Sequence, residues 1–510
     1  MPNKSVMKHQ FSQVPRAEIQ RSSFDRSHGL KTTFDAGRLY PIYVDEALPG
    51  DTFKMNMTAF ARMATPIHPI MDNMFMTTHF FAVPIRLIWE NWQKFNGEQD
   101  NPSDSTDFVV PQINYSQITE GSLADYFGIP LSSNPLNVNA LHFRAYNLIW
   151  NEWFRDQNLQ DSLNVPKGDG PDNGADYVIR RRGKRHDYFT SCLPWPQKGP
   201  LVNLPLGEKA YVAIENTPTG AHSPQITATL QTTSGEVGLD SSGATLTPAG
   251  TRDGDRLYAD LTTATAATIN ELRQAFQVQR MQERDARGGT RYTEILQSHF
   301  GVTSPDARLQ RPEFLGGGTS YININPVAQT SETQSSGGNT PQGNLSAYAT
   351  TSLDGHGFTK SFTEHCVLIG LVSVRADLTY QQGLARMWSG RTRSDFYWPA
   401  LSHIGEQAIL NGEIFWTNTT TDDDVFGYIP RFDEYRYKNS QICGDFRSTS
   451  GASLDVWHLA QEFAGLPVLN SAFIEEDVPL DRVIAVPSEP HMLLDIWFNL
   501  RCARPMPMYA

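Results

Sequence analysis

Cysteine is scarce in this 510-residue chain. The four cysteines are widely separated, with neither a CxxC pair nor a zinc-ligand spacing: Cys192, Cys366, Cys443 and Cys502. This pattern is typical of a reducing compartment, in which isolated cysteines serve as small buried hydrophobic residues. The sequence therefore disfavours a disulfide-stabilised secreted domain.

Long hydrophobic runs are also missing. The N-terminal residues MPNKSVMKHQFSQ contain no apolar segment of the kind found in signal peptides. The strongest apolar run, from Cys366 to Val374, is too short for a helix that spans a bilayer and ends at Arg375. We expect a soluble protein that is made in a cytoplasm and does not insert into a membrane.

Motifs of the common catalytic sites are absent. The sequence contains no GxxxxGK[ST], no GxGxxG after a strand, no GxSxG and no HExxH. The acidic run Asp422–Asp424 has the ligand type of a divalent cation site, although solvated loop carboxylates explain it more simply. We expect no enzymatic activity, no catalytic residue, no metal and no other cofactor.

Positive charge is in deficit, with a formal net charge of -13 and a pI near 5.5. A free DNA-binding domain is normally basic, so contact with nucleic acid requires a local basic face or a separate basic protein. The densest basic segment, here called the basic run, is RRRGKRH at Arg180–His186. It predicts contact with phosphate. The alternative is a solvated loop or a set of intersubunit ion pairs. The DNA-facing candidates are Arg180, Arg181, Arg182, Lys184 and Arg185.

Strand patterns occur towards both ends of the chain. The predicted strands include Asp51–Met63, Asn73–Val83, His365–Tyr380 and Met492–Cys502. The first alternates apolar and polar residues, and the third contains a near-continuous apolar run that favours burial on both faces. Residues 316–355 are rich in Gly, Ser, Thr and Gln and are predicted to be loop, with one strand-like piece at Tyr321–Ile324.

Helical periodicity lies between these strands. The predicted helices follow Pro84 to Gly97, Asn139 to about Asn158, Thr268 to Gly288, and Thr293–Phe300. Strands that are distant in sequence, with large insertions in their connections, predict one antiparallel β-sandwich with long loops and a few helices rather than a string of domains.

Two segments lack core-forming residues. Residues 1–38 are polar and predict an extended arm that lies against another surface, with a frayed terminus as the alternative. Residues 215–262 contain few large apolar residues and predict a variable surface insertion. The core is accordingly assigned to residues 39–214 and 263–510.

The stretch Phe426–Arg447 interleaves aromatic, basic and acidic residues. Such a mixture suits a protein–protein interface, where Tyr and Arg are enriched. It also suits single-stranded nucleic acid, by stacking and charge neutralisation, although the carboxylates count against phosphate contact. An irregular polar loop is the third alternative. The candidate interface residues are Arg431, Phe432, Glu434, Tyr435, Arg436 and Tyr437.

Seven segments in order along nearly the whole chain carry a family resemblance. They are KTTFDAGRLYPIYVDEALPGDTF (31–53), RMATPIHPIMDN (62–73), FFAVPIRLIWENW (80–92), RRGKRHDYFTSCLPWPQKG (181–199), RGGTRYTEILQSHFGV (287–302), FGYIPRFDEYRYKNSQICGDFR (426–447) and RPMP (504–507). Together they resemble the major capsid protein of the Microviridae, small single-stranded DNA bacteriophages, and specifically its gokushovirus branch.

The resemblance implies a viral eight-stranded antiparallel jelly roll. It implies copies that assemble in the host bacterial cytoplasm into a T=1 icosahedral virion around circular single-stranded DNA, with a small basic internal DNA-binding protein. Residues 215–262 carry no such resemblance, which fits the family's variable insertion, a protrusion at the threefold axes that faces a host surface receptor. Candidate attachment residues are Thr227, Thr229, Thr232, Val237 and Leu246. In this setting subunit contact is the preferred interpretation of Phe426–Arg447.

Two other classes compete with this interpretation. One is a secreted or surface-attached all-β protein that binds or hydrolyses carbohydrate, which the missing export signal and the isolated cysteines disfavour. The other is a free nucleic-acid-binding protein, which the net charge of -13 disfavours.

Overall fold

The structure is a computed structural model that describes residues 19–200, 202, 211–214, 229–232, 235–238, 257–260, 269–289, 291–302, 310–331, 333–335, 338–340 and 342–508. The chain forms two compact units, one of Met1–Pro196 with Gly289–Ala510 and one of Gln197–Gly288. The strands are β1 Ser22–Asp25, β2 His28–Phe34, β3 Tyr40–Ala47, β4 Thr52–Met63, β5 Met74–Pro84, β6 Gln112–Tyr115, β7 Leu136–Asn139, β8 Tyr211–Ile214, β9 Thr229–Thr232, β10 Gly235–Gly238, β11 Leu257–Asp260, β12 Glu313–Tyr321, β13 Asn323–Ala328, β14 Thr333–Ser335, β15 Gly338–Thr340, β16 Leu345–Ser361, β17 Cys366–Ala376, β18 Glu406–Leu410, β19 Val425–Pro430 and β20 Met492–Arg504. The α-helices are α1 Trp92–Phe95, α2 Leu123–Tyr126, α3 Leu141–Ile149, α4 Ile269–Gly288, α5 Tyr292–Phe300, α6 Asn411–Ile414 and α7 Ser471–Ile474.

Six strands form the first large sheet, and each is antiparallel to its neighbours. β20 lies between β2 and β4, β16 follows β4, and β13 forms the far edge. β1 continues the edge begun by β2, because it pairs with the C-terminal end of β20. The first described strands of the chain therefore pair with the last one.

Four strands form the second large sheet, in the order β12, β5, β17 and β3. Every pairing in it is antiparallel. The consecutive strands β2 to β5 alternate between the two sheets, and so do β16, β17 and β20. This alternation brings sequence-distant segments together across one core.

The two sheets enclose a common apolar core. Along β4, Phe53, Met55 and Met57 are buried while the residues between them are exposed. Phe80 of β5 and Phe498 of β20 join the same cluster, and burial of each such side chain contributes roughly 1.5–3 kcal/mol. The prediction of a mainly β, antiparallel sandwich with few helices is confirmed.

A second apolar cluster covers the other face of the second sheet. It combines Val367 and Ile369 of β17 with Phe143 and Tyr146 of α3. Leu368, between the two β17 residues, belongs to the core between the sheets. β17 is therefore buried on both faces, as its continuous apolar sequence predicts.

A buried ion pair fixes α3 within this second layer. Arg144 donates from Nε and Nη2 to the Asp172 carboxylate at 2.7 and 2.6 Å, and both side chains are almost fully buried. Arg144 Nη1 donates to the carbonyls of Ile88 and Gly168, and the Tyr177 hydroxyl donates to Asp172. This full set of hydrogen bonds offsets the desolvation of the two charges.

The prediction of loop over residues 316–355 is wrong, because β12, β13 and β16 occupy most of that range. These strands are built from small residues. Ala347 and Ala349 of β16 are buried in place of larger side chains, and a Cβ at Gly318 of β12 would collide with the His356 imidazole. Beside a strand made of Gly, Ala, Ser and Thr, the core is filled by the larger side chains of neighbouring strands. The sequence of such a strand therefore shows a weak apolar pattern.

Part of the predicted N-terminal arm belongs to the first sheet. β1 and β2 pair with β20, and Phe34 is buried in the core. Residues 1–18 lie outside the described residues. The boundary at residue 38 stays a prediction.

The smaller unit, Gln197–Gly288, contains α4 and two antiparallel strand pairs in its described part. β9 pairs with β10, and β8 pairs with β11. The predicted insertion at 215–262 falls within this unit and lies largely outside the described residues, so its bounds also stay a prediction.

The predicted helices occur with altered lengths. α4 and α5 match their predicted ranges closely, and α3 is extended by one π-helical turn over Trp150–Phe154. The predicted helix after Pro84 is broken into a 3-10 turn at Ile85–Leu87 and the short α1. Among the helices within the described ranges, none is long and apolar enough to cross a membrane.

Candidate functional site

The basic run is an extended segment that backbone hydrogen bonds fix on both sides. The Arg182 N–H donates to the Gly37 carbonyl at 2.8 Å, and the Glu476 N–H donates to the Arg182 carbonyl at 2.7 Å. The Lys184 N–H donates to the Ile474 carbonyl at 2.8 Å. The run is thus held between the β2–β3 connection and the segment after α7, and it is not a free solvated loop.

The first two DNA-facing candidates are engaged within the chain. Arg180 Nη2 lies 3.4 Å from the Asp176 carbonyl, to which it donates. Arg181 Nη1 donates to the Asp477 carboxylate at 2.6 Å and to the Glu476 carbonyl at 3.0 Å. Part of the run therefore forms intramolecular ion pairs and hydrogen bonds.

The other three candidates, Arg182, Lys184 and Arg185, line a cleft of about 560 Å³. We call it the cationic cleft. Two more arginines and several aromatic rings complete its lining: Arg155, Arg375, Phe81, Trp153, Phe154 and Phe314. The structure thus brings together basic and aromatic side chains from distant parts of the sequence.

Arg182 is fixed beneath the cleft by neutral partners. Its Nη1 donates to the Thr77 hydroxyl at 2.9 Å and to the Ser373 hydroxyl at 3.0 Å. Burial, assisted by the nearby Arg375 and opposed by Glu476, lowers the pKa of the Arg182 guanidinium to about 10. At neutral pH Arg182 is still cationic, so the cleft carries a fixed positive charge.

Glu476 is the buried carboxyl among these cations, with 1% of its surface exposed. Burial raises its pKa to about 7, although Lys184, Arg182 and Arg375 all pull it down. Its Oε2 atom has no hydrogen-bond partner within the described part of the chain. Burial also lowers the pKa of the Lys184 ammonium, against the attraction of Glu476 and Asp187.

Three of the predicted interface residues support the fold locally. Phe432 is buried and adopts a left-handed backbone conformation with φ of 64°. Glu434 accepts a hydrogen bond from Gln407 Nε2 at 2.7 Å. Arg431 donates to the Ser394 carbonyl at 3.0 Å. The other three candidates, Tyr435, Arg436 and Tyr437, are exposed.

A neighbouring segment, residues 387–400, is exposed along its whole length. Its large apolar side chains include Trp388 at 70% exposure, Phe396 at 54%, Tyr397 at 47% and Trp398 at 42%. The Tyr397 ring lies 6.2 Å from the Tyr435 ring. We call Trp388, Phe396, Tyr397, Trp398 and Tyr435 the aromatic surface.

Both groupings contain residues that were not predicted from sequence. The segment RMWSGRTRSDFYWP (386–399) has the same interleaving of aromatic residues and arginines as Phe426–Arg447, so a signal for it was present. Arg155, Trp153 and Phe314 carry no such signal, because each stands in an ordinary sequence context. Only the fold brings them to the basic run.

The predicted attachment residues fall in the smaller unit. Thr229 and Thr232 lie in β9, and Val237 lies in β10, with which β9 forms a hairpin. Thr227 and Leu246 lie outside the described residues. The attachment role of all five stays a prediction.

The first residue of the acidic run Asp422–Asp424, which suggested a cation site, has a structural role. Asp422 is buried and accepts hydrogen bonds from the Thr417 hydroxyl at 2.8 Å and the Thr419 N–H at 3.1 Å. Within the ranges that the structure describes, no three His, Cys, Asp or Glu side chains gather as a metal site would require.

Comparison with known proteins places the chain in a family. Residues 12–510 match the family described as Capsid protein (F protein). The chain is 49% identical to capsid protein VP1 of Bdellovibrio phage phiMH2K, over 98% of this chain and 97% of that protein. It is 43% identical to capsid protein VP1 of Chlamydia phage 1, over 99% and 98%, and 37% identical to capsid protein VP1 of Spiroplasma virus 4, over 98% and 97%. The resemblance to gokushovirus major capsid proteins of the Microviridae is confirmed. The chain belongs to the F-protein family of bacteriophage capsid proteins.

Proposed function

We propose that copies of this major capsid protein assemble into a T=1 icosahedral shell around circular single-stranded DNA, and that its role is structural and not enzymatic. Membership in the capsid family supports a place in the virion and self-assembly into a shell. The single observation that supports specific contacts between copies in the shell is the aromatic surface.

We assign the sandwich to the jelly-roll fold. Eight strands are divided between two sheets, in the order β2-β20-β4-β16 in one and β12-β5-β17-β3 in the other. Long insertions are located in the connections between these strands, as in viral shell subunits. The four-plus-four arrangement supports the assignment.

The aromatic surface is the proposed contact with a second copy of the chain. Soluble monomers rarely expose so many large apolar side chains in one segment, and Trp, Tyr and Arg dominate the energetics of interfaces. Arg393 lies over the Trp398 ring at 4.3 Å, and Arg436 is exposed beside Tyr435. A closed shell requires contacts of this kind between unlike patches around its fivefold and threefold axes.

Truncation of the aromatic surface tests this proposal. We expect Trp388→Ala combined with Tyr435→Ala to leave a folded chain that forms no particles, because the contact loses two buried rings. Size-exclusion chromatography and negative-stain imaging measure assembly, and circular dichroism measures folding. Tyr435→Phe is the matched control, since it keeps the ring. Normal particles from the double variant would remove the aromatic surface from the interface.

The basic run is the proposed DNA-facing side of the subunit. A chain of net charge -13 repels its genome, so packaging requires a local basic lining together with the small basic internal protein. Arg182, Lys184 and Arg185 provide that lining in the cationic cleft. Removal of the exposed cation in Arg185→Ala should lower the DNA-to-protein ratio of purified particles, and an unchanged ratio would contradict the assignment.

We further propose that the insertion at 215–262 contacts a host surface receptor and that assembly takes place in the host bacterial cytoplasm. The low apolar content of the insertion supports a surface position. Adsorption of particles to host cells, with and without the insertion, is the direct measurement.

A further inference from the structure

The lining of the cationic cleft combines two kinds of side chain, which we call its basic wall and its aromatic wall. One wall is basic and consists of Arg155, Arg182, Lys184, Arg185 and Arg375. The other is aromatic and consists of Phe81, Trp153, Phe154 and Phe314. A volume of about 560 Å³ lies within the range of pockets that hold small molecules.

Five cations in the basic wall outnumber the carboxylates at the cleft, which are Asp156 in the cleft lining and the buried Glu476 beneath it. Of its five cations, only Arg185 has an ion-pair partner within 4.0 Å in the part of the chain that the structure describes, Asp377 at 3.5 Å. The Nε atoms of Arg155 and Arg375 are buried and have no hydrogen-bond partner among the described residues. The same is true of Nε2 of His79, which also lines the cleft. Several buried nitrogens around the cleft therefore have unused hydrogen-bonding capacity.

The aromatic wall leaves two rings accessible. Trp153 is 39% exposed and Phe314 is 43% exposed, and their ring centroids lie 6.0 Å apart. Behind them Phe81 is buried, 5.6 Å from Trp153 and 5.5 Å from Phe314. The Trp153 Nε1 donates to the Pro312 carbonyl at 2.9 Å, which fixes the indole. The Arg311 guanidinium lies over the Trp153 ring at 4.9 Å, so a base would stack on ring surface that Arg311 leaves open. A fixed and partly exposed ring is a suitable stacking platform.

We propose that the cationic cleft binds one nucleotide, with its phosphate on the basic wall and its base stacked on Trp153 or Phe314. A nucleotide is the ligand class that combines a phosphate and a planar base in one molecule. Inorganic phosphate would leave the aromatic wall without a partner, and an acidic peptide side chain would bring one charge to five cations. In its genome-bound form the proposal rests on the proposed function, because the nucleotide then belongs to packaged DNA.

Binding to the purified, unassembled chain tests the chemistry. The probes are dGMP, inorganic phosphate and deoxyguanosine, each measured by isothermal titration calorimetry. We expect dGMP to bind at least tenfold more tightly than either of its parts, since stacking and phosphate contact both contribute. Equal affinity for dGMP and phosphate would reduce the cleft to a simple anion site and overturn the proposal, as would no binding by dGMP.

Two variants separate the two walls. Trp153→Ala should weaken dGMP about tenfold or more and leave phosphate binding unchanged, whereas Trp153→Phe should retain most of the affinity because it keeps a ring. Arg185→Met should weaken both probes. Arg181→Met is the control, since Arg181 is in the basic run but outside the cleft lining. A Trp153→Ala chain with unchanged dGMP affinity would contradict the stacking assignment.

Two sources of the nucleotide are distinguished in assembled particles. Ultraviolet cross-linking followed by peptide mass spectrometry should join packaged DNA to the peptide that contains Trp153 if the genome is the source. A cleft that binds dGMP in the free chain, but yields no cross-link in full particles, takes a free nucleotide instead. Shell formation is scored separately by imaging, so a failure of assembly and a failure of nucleotide binding give different results.

Discussion

The replacement Glu476→Gln tests how the buried cluster beneath the cationic cleft is charged. Glu476 is 1% exposed and lies near Lys184, Arg182 and Arg375. Burial nevertheless raises the pKa of its carboxyl from the ordinary 4.5 to about 7. Glutamine has nearly the same shape and cannot ionise, so the change removes the titration and little else.

The sign and size of the effect follow from proton linkage. Between pH 4.5 and about 7 the folded chain binds a proton that the unfolded chain has released. The free energy of unfolding therefore falls as pH rises through this window and is level above it. The pKa shift corresponds to about 3 kcal/mol of unfolding free energy. The wild type loses this stability as pH rises to about 7, whereas the glutamine variant keeps it.

Thermal melting measures this difference. The larger unit has roughly 400 residues, so its entropy of unfolding is about 0.8 kcal/mol/K and about 3 kcal/mol corresponds to about 4 °C. We expect the variant to melt about 4 °C above the wild type at pH 8 and at the same temperature at pH 4.5. Glu489→Gln, which makes the same replacement at an exposed carboxylate, is the control.

One outcome would refute this reasoning. If Glu476→Gln melts below the wild type at pH 8, the carboxyl is ionised in the fold and its attraction to Lys184, Arg182 and Arg375 outweighs its burial. The same difference at both pH values would place the effect in packing and not in ionisation.

Three further predictions concern the scaffold and its surface. Asp172→Asn should destabilise the chain by about 3–5 kcal/mol in urea unfolding, because it leaves Arg144 buried without its partner; wild-type stability would show that the pair is dispensable. Gly318→Val should yield insoluble protein, since its side chain meets the His356 imidazole, which is buried and held by a 2.8 Å hydrogen bond with the Thr78 hydroxyl; soluble particles in a sedimentation assay would contradict this. Replacement of 220–258 by a short Gly/Ser linker should preserve particles on imaging but reduce adsorption to the host; aggregation would show that the segment contributes to a core.

The strands that the sequence predicted correctly are those that carry their own apolar pattern. β4 alternates buried and exposed residues, and β17 is apolar throughout. β16 was not predicted because its buried positions include Ala347 and Ala349, whose core volume comes from facing strands. Apolar periodicity is visible only where a segment itself supplies large side chains to a core. It is not visible where facing strands supply them.

The candidate site was predictable only where its residues are adjacent in sequence. The basic run is a local cluster and was predicted. Arg155, by contrast, follows the π-helical turn at Trp150–Phe154, and Arg375 lies at the end of β17. Which basic residues are used internally was also not predictable. Arg181 pairs with Asp477, about 300 positions away, and such pairing depends on the tertiary fold.

The central position of β20 has a consequence for the timing of folding. β20 lies between β2 and β4 in the first sheet, yet it is synthesised about 430 residues after β4. At 5–20 residues per second, translation separates the two strands by about 20 to 90 s. During that interval β2 and β4 lack their common neighbour, and their open edges are exposed to other nascent chains on the same messenger. Each subunit must therefore complete its first sheet late.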